Sequence, residues 1–414
     1  MAVSKPQRSL EECRSEFPSL TRTHNGLPLA FLDGPAGTQV PSAVIEAIGE
    51  YYRRSNANTH GAFVTTHETD EMLEAARTAA AAFLGAPGAH TISFGANMTT
   101  LSFSLSQAIR RRLRPGDEVV ITQLDHEANR GPWLNLREHG VVVREVLLRP
   151  DGRLDESDLR EAVTERTKVL AMGMASNALG TVNNVALGRA LTNGVGAWLV
   201  LDAVHYAPHF AIDVKALDTD VLLCSAYKFY GPHVGLLYCR EGLLDSLETD
   251  RLRTVDQRAP YRIETGTLNH AAIAGVKAAI EFIASFGRGS TMRDRIVDAM
   301  RTIGAHERDV ASKLMDGLKT IRGVTVYGPP FDDGLRAPTV SFTLDGKRPE
   351  EVCASLADRA ICAWDGHFYA VRAIEVLGLE QRGGVTRVGV VMYNTEEEVA
   401  RVVEAVKAMS TSTA

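Results

Sequence analysis

The sequence predicts an α/β protein, a large domain built on a mainly parallel sheet followed by a smaller α+β domain. Three observations carry this. Apolar, strand-like runs near residues 91, 119, 144, 169 and 198 alternate with helical stretches, which is the βαβ rhythm of a parallel sheet. Polar residues that could do chemistry fall at the C-terminal ends of those runs, where such sheets bind ligands. A break at Gly287-Arg288-Gly289-Ser290 separates this region from a long helical stretch and several short strands. The 414 residues are enough for two domains with substantial cores. We therefore expect an N-terminal arm at 1–30, a large domain at 31–287 and a small domain at 288–414.

Composition narrows the function classes. The net charge of −6 disfavours nucleic acid or an anionic membrane as a partner. No apolar run approaches the roughly 20 residues of a membrane span. Residues 1–16 are polar and lack the apolar core of a signal peptide, so a cytoplasmic enzyme is expected. The five cysteines (Cys13, Cys224, Cys239, Cys353 and Cys362) show neither CxxC nor Cys/His metal spacing, so no metal site is expected.

Taken in order, Leu32 to Pro41 is a Gly/Pro-rich loop with a helix from Ser42, and Asn56-Ala57-Asn58-Thr59-His60-Gly61 is a polar loop. An Ala-rich helix is expected from Thr69 to Leu84. The strand Thr91–Phe94, the turn Gly95-Ala96-Asn97 and the helix Met98–Leu113 then form an anion site, because free N–H groups and the helix dipole point at one spot. An asparagine N-cap with no ligand is the competing reading there. Strands Asp117–Gln123 and Val169–Ala175 run into polar segments at Asp125-His126-Glu127 and Ser176-Asn177. The next strand, Ala197–Leu201, ends on Asp202. After the helix Ala271–Phe286 come a helix over 291–319, short strands at 324–327, 339–343, 361–364 and 387–391, and a helix from about Pro349. The last helix, 395–409, opens on a Thr395/Glu398 capping box.

The residue that organises the chain is Lys228. It lies in a polar turn between two apolar runs, within Val221-Leu222-Leu223-Cys224-Ser225-Ala226-Tyr227-Lys228-Phe229-Tyr230-Gly231-Pro232. A surface hairpin is one reading. The other is a buried lysine, whose ammonium is costly unless paired or neutralised. An aldehyde cofactor removes that cost by forming a Schiff base. Only nine residues are lysine against 36 arginines, and no other lysine has a comparable apolar setting. Upstream, Asp202 either caps its turn or points into the ligand crevice. In pyridoxal phosphate (PLP) enzymes such an aspartate keeps the pyridine nitrogen protonated.

The run Asp202-Ala203-Val204-His205, then Ser225-Ala226-Tyr227-Lys228, then Gly231-Pro232 resembles the class V aminotransferase superfamily, in its cysteine desulfurase-like branch. There the pattern is Asp-x-x-Gln, Ser-x-His-Lys and Gly-Pro. The resemblance runs from about Phe17 to Ala408. It implies PLP fold type I with a mainly parallel seven-stranded sheet, PLP as cofactor, an amino-acid substrate and a homodimer with composite active sites. It also implies roles: Lys228 carries the cofactor, Asp202 faces its ring nitrogen, His126 stacks on the ring and moves protons, and Asn177 approaches the ring oxygen and the substrate. His205 and Ser225 join the cofactor shell, and Ala96 and Asn97 hold the phosphate. Thr267, in Glu264-Thr265-Gly266-Thr267-Leu268-Asn269, reaches the partner's phosphate. Arg387 binds the substrate carboxylate, as a planar guanidinium suits. His60 either touches substrate or is a solvated loop histidine.

One departure redirects the expected chemistry. Group II desulfurases carry a nucleophilic cysteine in a loop Arg-x-Gly-His-His-Cys-Ala. This chain has Trp364-Asp365-Gly366-His367-Phe368-Tyr369-Ala370, with tyrosine in the cysteine's place. Tyrosine cannot attack a substrate sulfur to form a persulfide. Branch members without that cysteine, in ergothioneine and lincosamide pathways, process sulfur conjugates of cysteine. The resemblance thus implies a C–S lyase acting on cysteine or an S-substituted cysteine. Trp364 and Tyr369 either wall a bulky S-substituent or merely pack the loop. Epimerisation, transamination and decarboxylating deamination are the alternatives, since all begin from the same carbanion chemistry. A sulfur-relay or catalytically silent protein is the reading of another class.

Overall fold

The computed structural model describes residues 8–411. The start of the expected N-terminal arm, residues 1–7, lies outside the described residues.

Seven strands form the main sheet: β1 (Ile92–Gly95), β2 (Glu118–Thr122), β3 (Val142–Val146), β4 (Thr167–Gly173), β5 (Trp198–Asp202), β6 (Val221–Ser225) and β7 (Gly235–Cys239). Their order is β1-β7-β6-β5-β4-β2-β3. β7 runs antiparallel to both β1 and β6, and the remaining neighbours are parallel. Strands such as Val-Leu-Leu-Cys-Ser and Trp-Leu-Val-Leu-Asp are near-continuous apolar runs because both faces are covered. One face packs on a core with Leu170, Leu199, Leu222 and Leu236, the other on a core with Val119, Ile121, Val200 and Leu223.

Helices of the large region that bear on the site are α1 (Ser42–Arg54), α2 (Val64–Leu84), α3 (Met98–Arg110), α4 (Glu127–Leu134) and α5 (His270–Ala284). α2 begins five residues before its expected start. α2 also holds Arg77, which makes a bidentate pair with Glu264 at 2.7 Å for both bonds, and Glu264 also accepts from the Phe94 N–H. Both side chains are buried. This pair ties the 262–269 segment to the edge of β1, a structural use for a glutamate quoted above only as part of a motif.

Residues 292–411 carry α6 (Met292–Lys319), a four-stranded sheet and α7 (Glu396–Thr411). The sheet order is β8-β9-β11-β10, with β8 Val324–Tyr327, β9 Thr339–Leu344, β10 Trp364–Gly366 and β11 Val385–Gly389, all antiparallel. Its core includes Val340, Phe342, Val388, Val399 and Val402, together with Ala30 and Leu32 from the N-terminal segment. Thr395 and Glu398 make both capping-box bonds.

Two expected strands differ. The run 361–364 is split, with Ile361–Cys362 pairing in parallel with Ala30–Phe31 and Trp364 opening β10 on the main small sheet. The run 387–391 is displaced towards the N-terminus and stops at Gly389. There a β-carbon would lie 2.1 Å from the Pro35 ring, so only glycine fits and the chain turns away.

Candidate active site

The C-terminal ends of the parallel strands converge on a cavity lined by Leu124, Asp125, His126, Gly173, Asn177, Asp202, His205, Ser225, Tyr227 and Lys228, with the start of α3 at Asn97, Met98 and Thr99. Topology explains the convergence: each polar residue follows the last apolar residue of its strand.

Lys228 follows β6 in a single 3₁₀ turn, Ala226–Lys228, and is buried. Its ammonium donates to the Pro35 carbonyl and lies 4.9 Å from the Tyr227 ring centre. Burial, helped by the nearby Arg387 guanidinium, pulls its pKa from 10.5 down to about 7. In the cofactor-free chain, the folded state therefore binds fewer protons at Lys228 than the unfolded state between about pH 7 and 10.5. Stability should rise with pH across that window. The expected outcome is that cofactor-free wild type gains on a Lys228→Met variant by a few kcal/mol between pH 7 and 10. Urea titrations at both pH values would measure it, and a constant difference would contradict a buried, shifted amine.

Asp202 ends β5 and is only 8% exposed. It accepts from the Val204 N–H at 2.8 Å. Burial pushes its carboxyl up to about 7. Asp125, whose role sequence reasoning missed, lines the same cavity and accepts from Gly173 N–H at 2.8 Å and Asn129 Nδ2 at 3.1 Å. A β-carbon on Gly173 would sit 2.7 Å from Asp125 Oδ1, so the glycine is what admits this carboxylate. Burial raises Asp125 to about 6.

His126 caps α4 by accepting the Ala128 N–H at Nδ1, 3.0 Å away. Burial, with Lys228 and Arg387 nearby, lowers its pKa to about 4. It is therefore a neutral imidazole whose Nδ1 is spent, leaving Nε2 as the N–H donor.

Arg387, on β11, donates to the Asn177 carbonyl at 3.1 Å, and its guanidinium lies 3.9 Å from the Phe368 ring centre. Asn177 Nδ2 donates to the Phe368 carbonyl at 2.9 Å. The Tyr369 ring lies 5.5 Å from His126, and the Tyr369 carbonyl accepts the Glu127 N–H at 2.7 Å. Phe368 and Tyr369 both take the left-handed backbone conformation, φ 52° and 58°, which costs on the order of 1 kcal/mol each. This loop is thus held over the mouth by bonds to Asn177 and Glu127. Tyr369 remains 66% exposed and Trp364 is exposed beside it. Trp364 pairs across the sheet with Arg387.

Asp33 is a second residue that sequence reasoning passed over. Burial raises its carboxyl to about 6, against the opposing pull of the nearby Arg387 and Lys228 charges. The only available signal was its position ahead of the Gly34-Pro35-Ala36-Gly37 turn.

Several predicted positions fall elsewhere. Ala96 is not part of the cavity lining, whereas Asn97, Met98 and Thr99 are. Asn97 Oδ1 caps α3 by accepting from the Thr100 N–H at 2.8 Å, while its side-chain amide donor remains. Ser225 Oγ accepts the Met98 N–H at 3.0 Å, anchoring that helix end. Gly235 brings β7 close to it: a β-carbon there would lie 2.4 Å from the Asn97 carbonyl carbon. His60 is an exposed loop residue bonded to Asp70, and Thr267 lines a separate surface groove with Asn56, Ala57 and Asn58. Neither reaches the cavity of its own chain.

The family model for aminotransferase class V matches residues 30–402. The chain belongs to that family. It is 33% identical to a cysteine desulfurase of Enterobacter sp. (strain 638), covering 96% of this chain and 97% of that protein. It is 32% identical to a cysteine desulfurase of Serratia proteamaculans (strain 568), covering 95% and 96%. Among solved structures, an apo cysteine desulfurase of Thermococcus onnurineus NA1 matches with a TM-score of 0.88 at 26% identity, covering all of both chains. An Escherichia coli cysteine desulfurase in its S-sulfonic acid form gives 0.85 at 27%, covering 98% and 99%.

The chain is thus a PLP-dependent enzyme of fold type I, and the class V cavity can be tested for fit to that cofactor. Three features fit. Asp202 is a buried carboxylate that a protonated ring nitrogen would neutralise. Lys228 presents a buried amine of lowered proton affinity. In the first turn of α3 no helical carbonyl can satisfy the Thr99 N–H, while Ser225 Oγ takes the Met98 N–H and Asn97 Oδ1 the Thr100 N–H, and Gly235 leaves β7 room to pack beside them. His205 also lines the cavity, and its Nδ1 is buried without a hydrogen-bond partner. Among the described residues no helix is long and apolar enough to cross a membrane, and no cluster suited to a metal ion occurs.

Proposed function

We propose that this enzyme is a C–S lyase acting on cysteine or, preferentially, on an S-substituted cysteine. The net reaction takes one water and releases a thiol, pyruvate and ammonium. The observation that carries the reading is the loop at 364–370, which brings Tyr369 rather than a thiol against His126. None of the five cysteines, all among the described residues, lines the cavity. Burial pushes Cys13, Cys239 and Cys353 up to about 12 and Cys362 to about 11, and raises Cys224 as well. A thiolate able to attack a substrate sulfur is therefore disfavoured at each.

Bound PLP supplies an aldehyde that takes the substrate amine and a ring that accepts the electron pair released at Cα. In the roles we assign, Lys228 holds the cofactor before substrate arrives and afterwards takes the Cα proton at Nζ. Asp202 keeps the ring nitrogen protonated. His126 covers the ring face as a neutral imidazole, with His205, Ser225 and Asn177 on the cavity wall around it. Backbone N–H groups at Asn97 and Thr99 take the phosphate, beside the Met98 N–H that Ser225 Oγ already holds. Arg387 receives the substrate carboxylate, held in place by the Asn177 carbonyl and the Phe368 ring. Trp364 and Tyr369 face the S-substituent. Thr267 and the groove at Asn56–Asn58 would complete the site of a second subunit in a homodimer, supported by the exposed Tyr52, Phe63 and Val64 nearby in sequence. We also place the domain boundary at residue 288, just before α6.

The relatives named above are cysteine desulfurases, so persulfide formation is the competing outcome. A variant with all five cysteines changed to serine, loaded with PLP, is expected to keep at least about half of wild-type turnover. Loss of turnover tracking one cysteine, with persulfide on that residue in the wild type, would contradict the lyase reading.

A further inference from the structure

Behind the cavity, the chain leaving β5 makes a helical turn, with Ala207 N–H bonded to Ala203 O and Phe210 N–H to Tyr206 O. His205 and His209 sit one turn apart on it, edge to face, with ring centres 5.2 Å apart. His205 faces the cofactor cavity. Its Nε2 is 2.9 Å from the Thr339 hydroxyl, and its Nδ1 has no partner. His209 Nδ1 is 2.8 Å from Glu307 Oε2. His209 is 2% exposed and Glu307 1%.

The pair exists because α6 can approach this turn. A β-carbon on Gly304 would lie 3.0 Å from the His209 carbonyl, so glycine sets the contact, and Glu307 follows one helical turn later. Glu307 Oε1 has no hydrogen-bond partner. Packing alone does not account for this arrangement. A buried acid–imidazole pair with an unsatisfied oxygen is costly, and an apolar pair of similar volume would serve stability as well or better. The pair also lines a second cavity, with Arg301, Arg308 and Arg336.

We propose that His209 and Glu307 are positioning residues that act through His205 on the cofactor cavity. Glu307 holds the His209 ring through Nδ1, and that ring packs edge to face against His205. His209 thereby fixes how the His205 ring sits beside the cavity. The other charged or titratable groups are Lys228 and Arg387 near His205, Asp202 at the foot of the turn, His306 and Tyr230 against Glu307, and Arg301, Arg308 and Arg336 in the second cavity.

The inference rests on the cofactor placement proposed above. The test is a pH titration of the visible absorption band of PLP-loaded, substrate-free protein. It compares wild type, Glu307→Gln, His205→Gln and the double variant. Glu307→Gln loosens the hold on the His209 ring and with it the seat of His205 beside the cofactor. The midpoint of the band is expected to shift by about half a pH unit or more. In the His205→Gln background the same substitution should shift nothing, because the coupling passes through His205. If Glu307→Gln does not fold, His209→Asn breaks the pair from the other side with the same expectation. No shift, or equal shifts in both backgrounds, would overturn the proposal. A wild-type protein that gains no visible band with PLP would overturn the cofactor placement itself, a different result.

Discussion

Lys228→Ala, supplied with PLP, is expected to lose turnover by about a thousandfold and to lose the visible band of the protein-bound linkage. The loss has two sources. In the proposed roles, the amine that holds the cofactor is gone, and so is the base for the Cα proton. The protein should still bind PLP non-covalently, because the helix N-terminus at Asn97–Thr99 and the Asp202 carboxylate are untouched. Turnover and absorbance, measured on the same preparation, check it. Unchanged turnover would remove Lys228 from the chemistry.

Arg387→Ala is expected to raise KM for the amino-acid substrate with a smaller fall in kcat. Truncating one partner of a buried, hydrogen-bonded charge pair costs about 2–5 kcal/mol, so the rise should be at least roughly thirtyfold. Arg387→Lys should recover only part of it, because an ammonium cannot make the planar two-bond contact and cannot stack on Phe368 in the same way. A substrate analogue with its carboxylate amidated should be nearly indifferent to the substitution. Equal losses on the amide and the acid would show that Arg387 serves folding rather than the carboxylate. The Arg387 guanidinium is shifted down to about 9 by burial, so the contact should persist below that pH.

The parts of the site that were legible in the sequence share one property: local order alone specifies them. Lys228 stood out because it interrupts two apolar runs, and Asp202 because it closes one, and the sheet puts both at the same crevice. The Thr395/Glu398 capping box was legible for the same reason, since its two bonds span three residues. What was not legible depends on contacts between distant segments. Asp33 gains meaning only when the small sheet brings Arg387 and Trp364 to it. His209 and Glu307 meet because Gly304 lets a helix from the far side of the chain approach. Strand ends were misplaced at Gly389 for a comparable reason, the Pro35 ring that packs against it.

The central claim, elimination of a thiol without a cysteine nucleophile, is tested most directly by product identity. PLP-loaded enzyme would be given S-substituted cysteines and, separately, L-cysteine, and pyruvate, ammonium, released thiol, alanine and protein persulfide would be quantified. The account predicts pyruvate and thiol in equal amounts from an S-substituted cysteine, with no alanine and no persulfide. Alanine formed from L-cysteine together with persulfide on the enzyme, and no pyruvate from any conjugate, would contradict it.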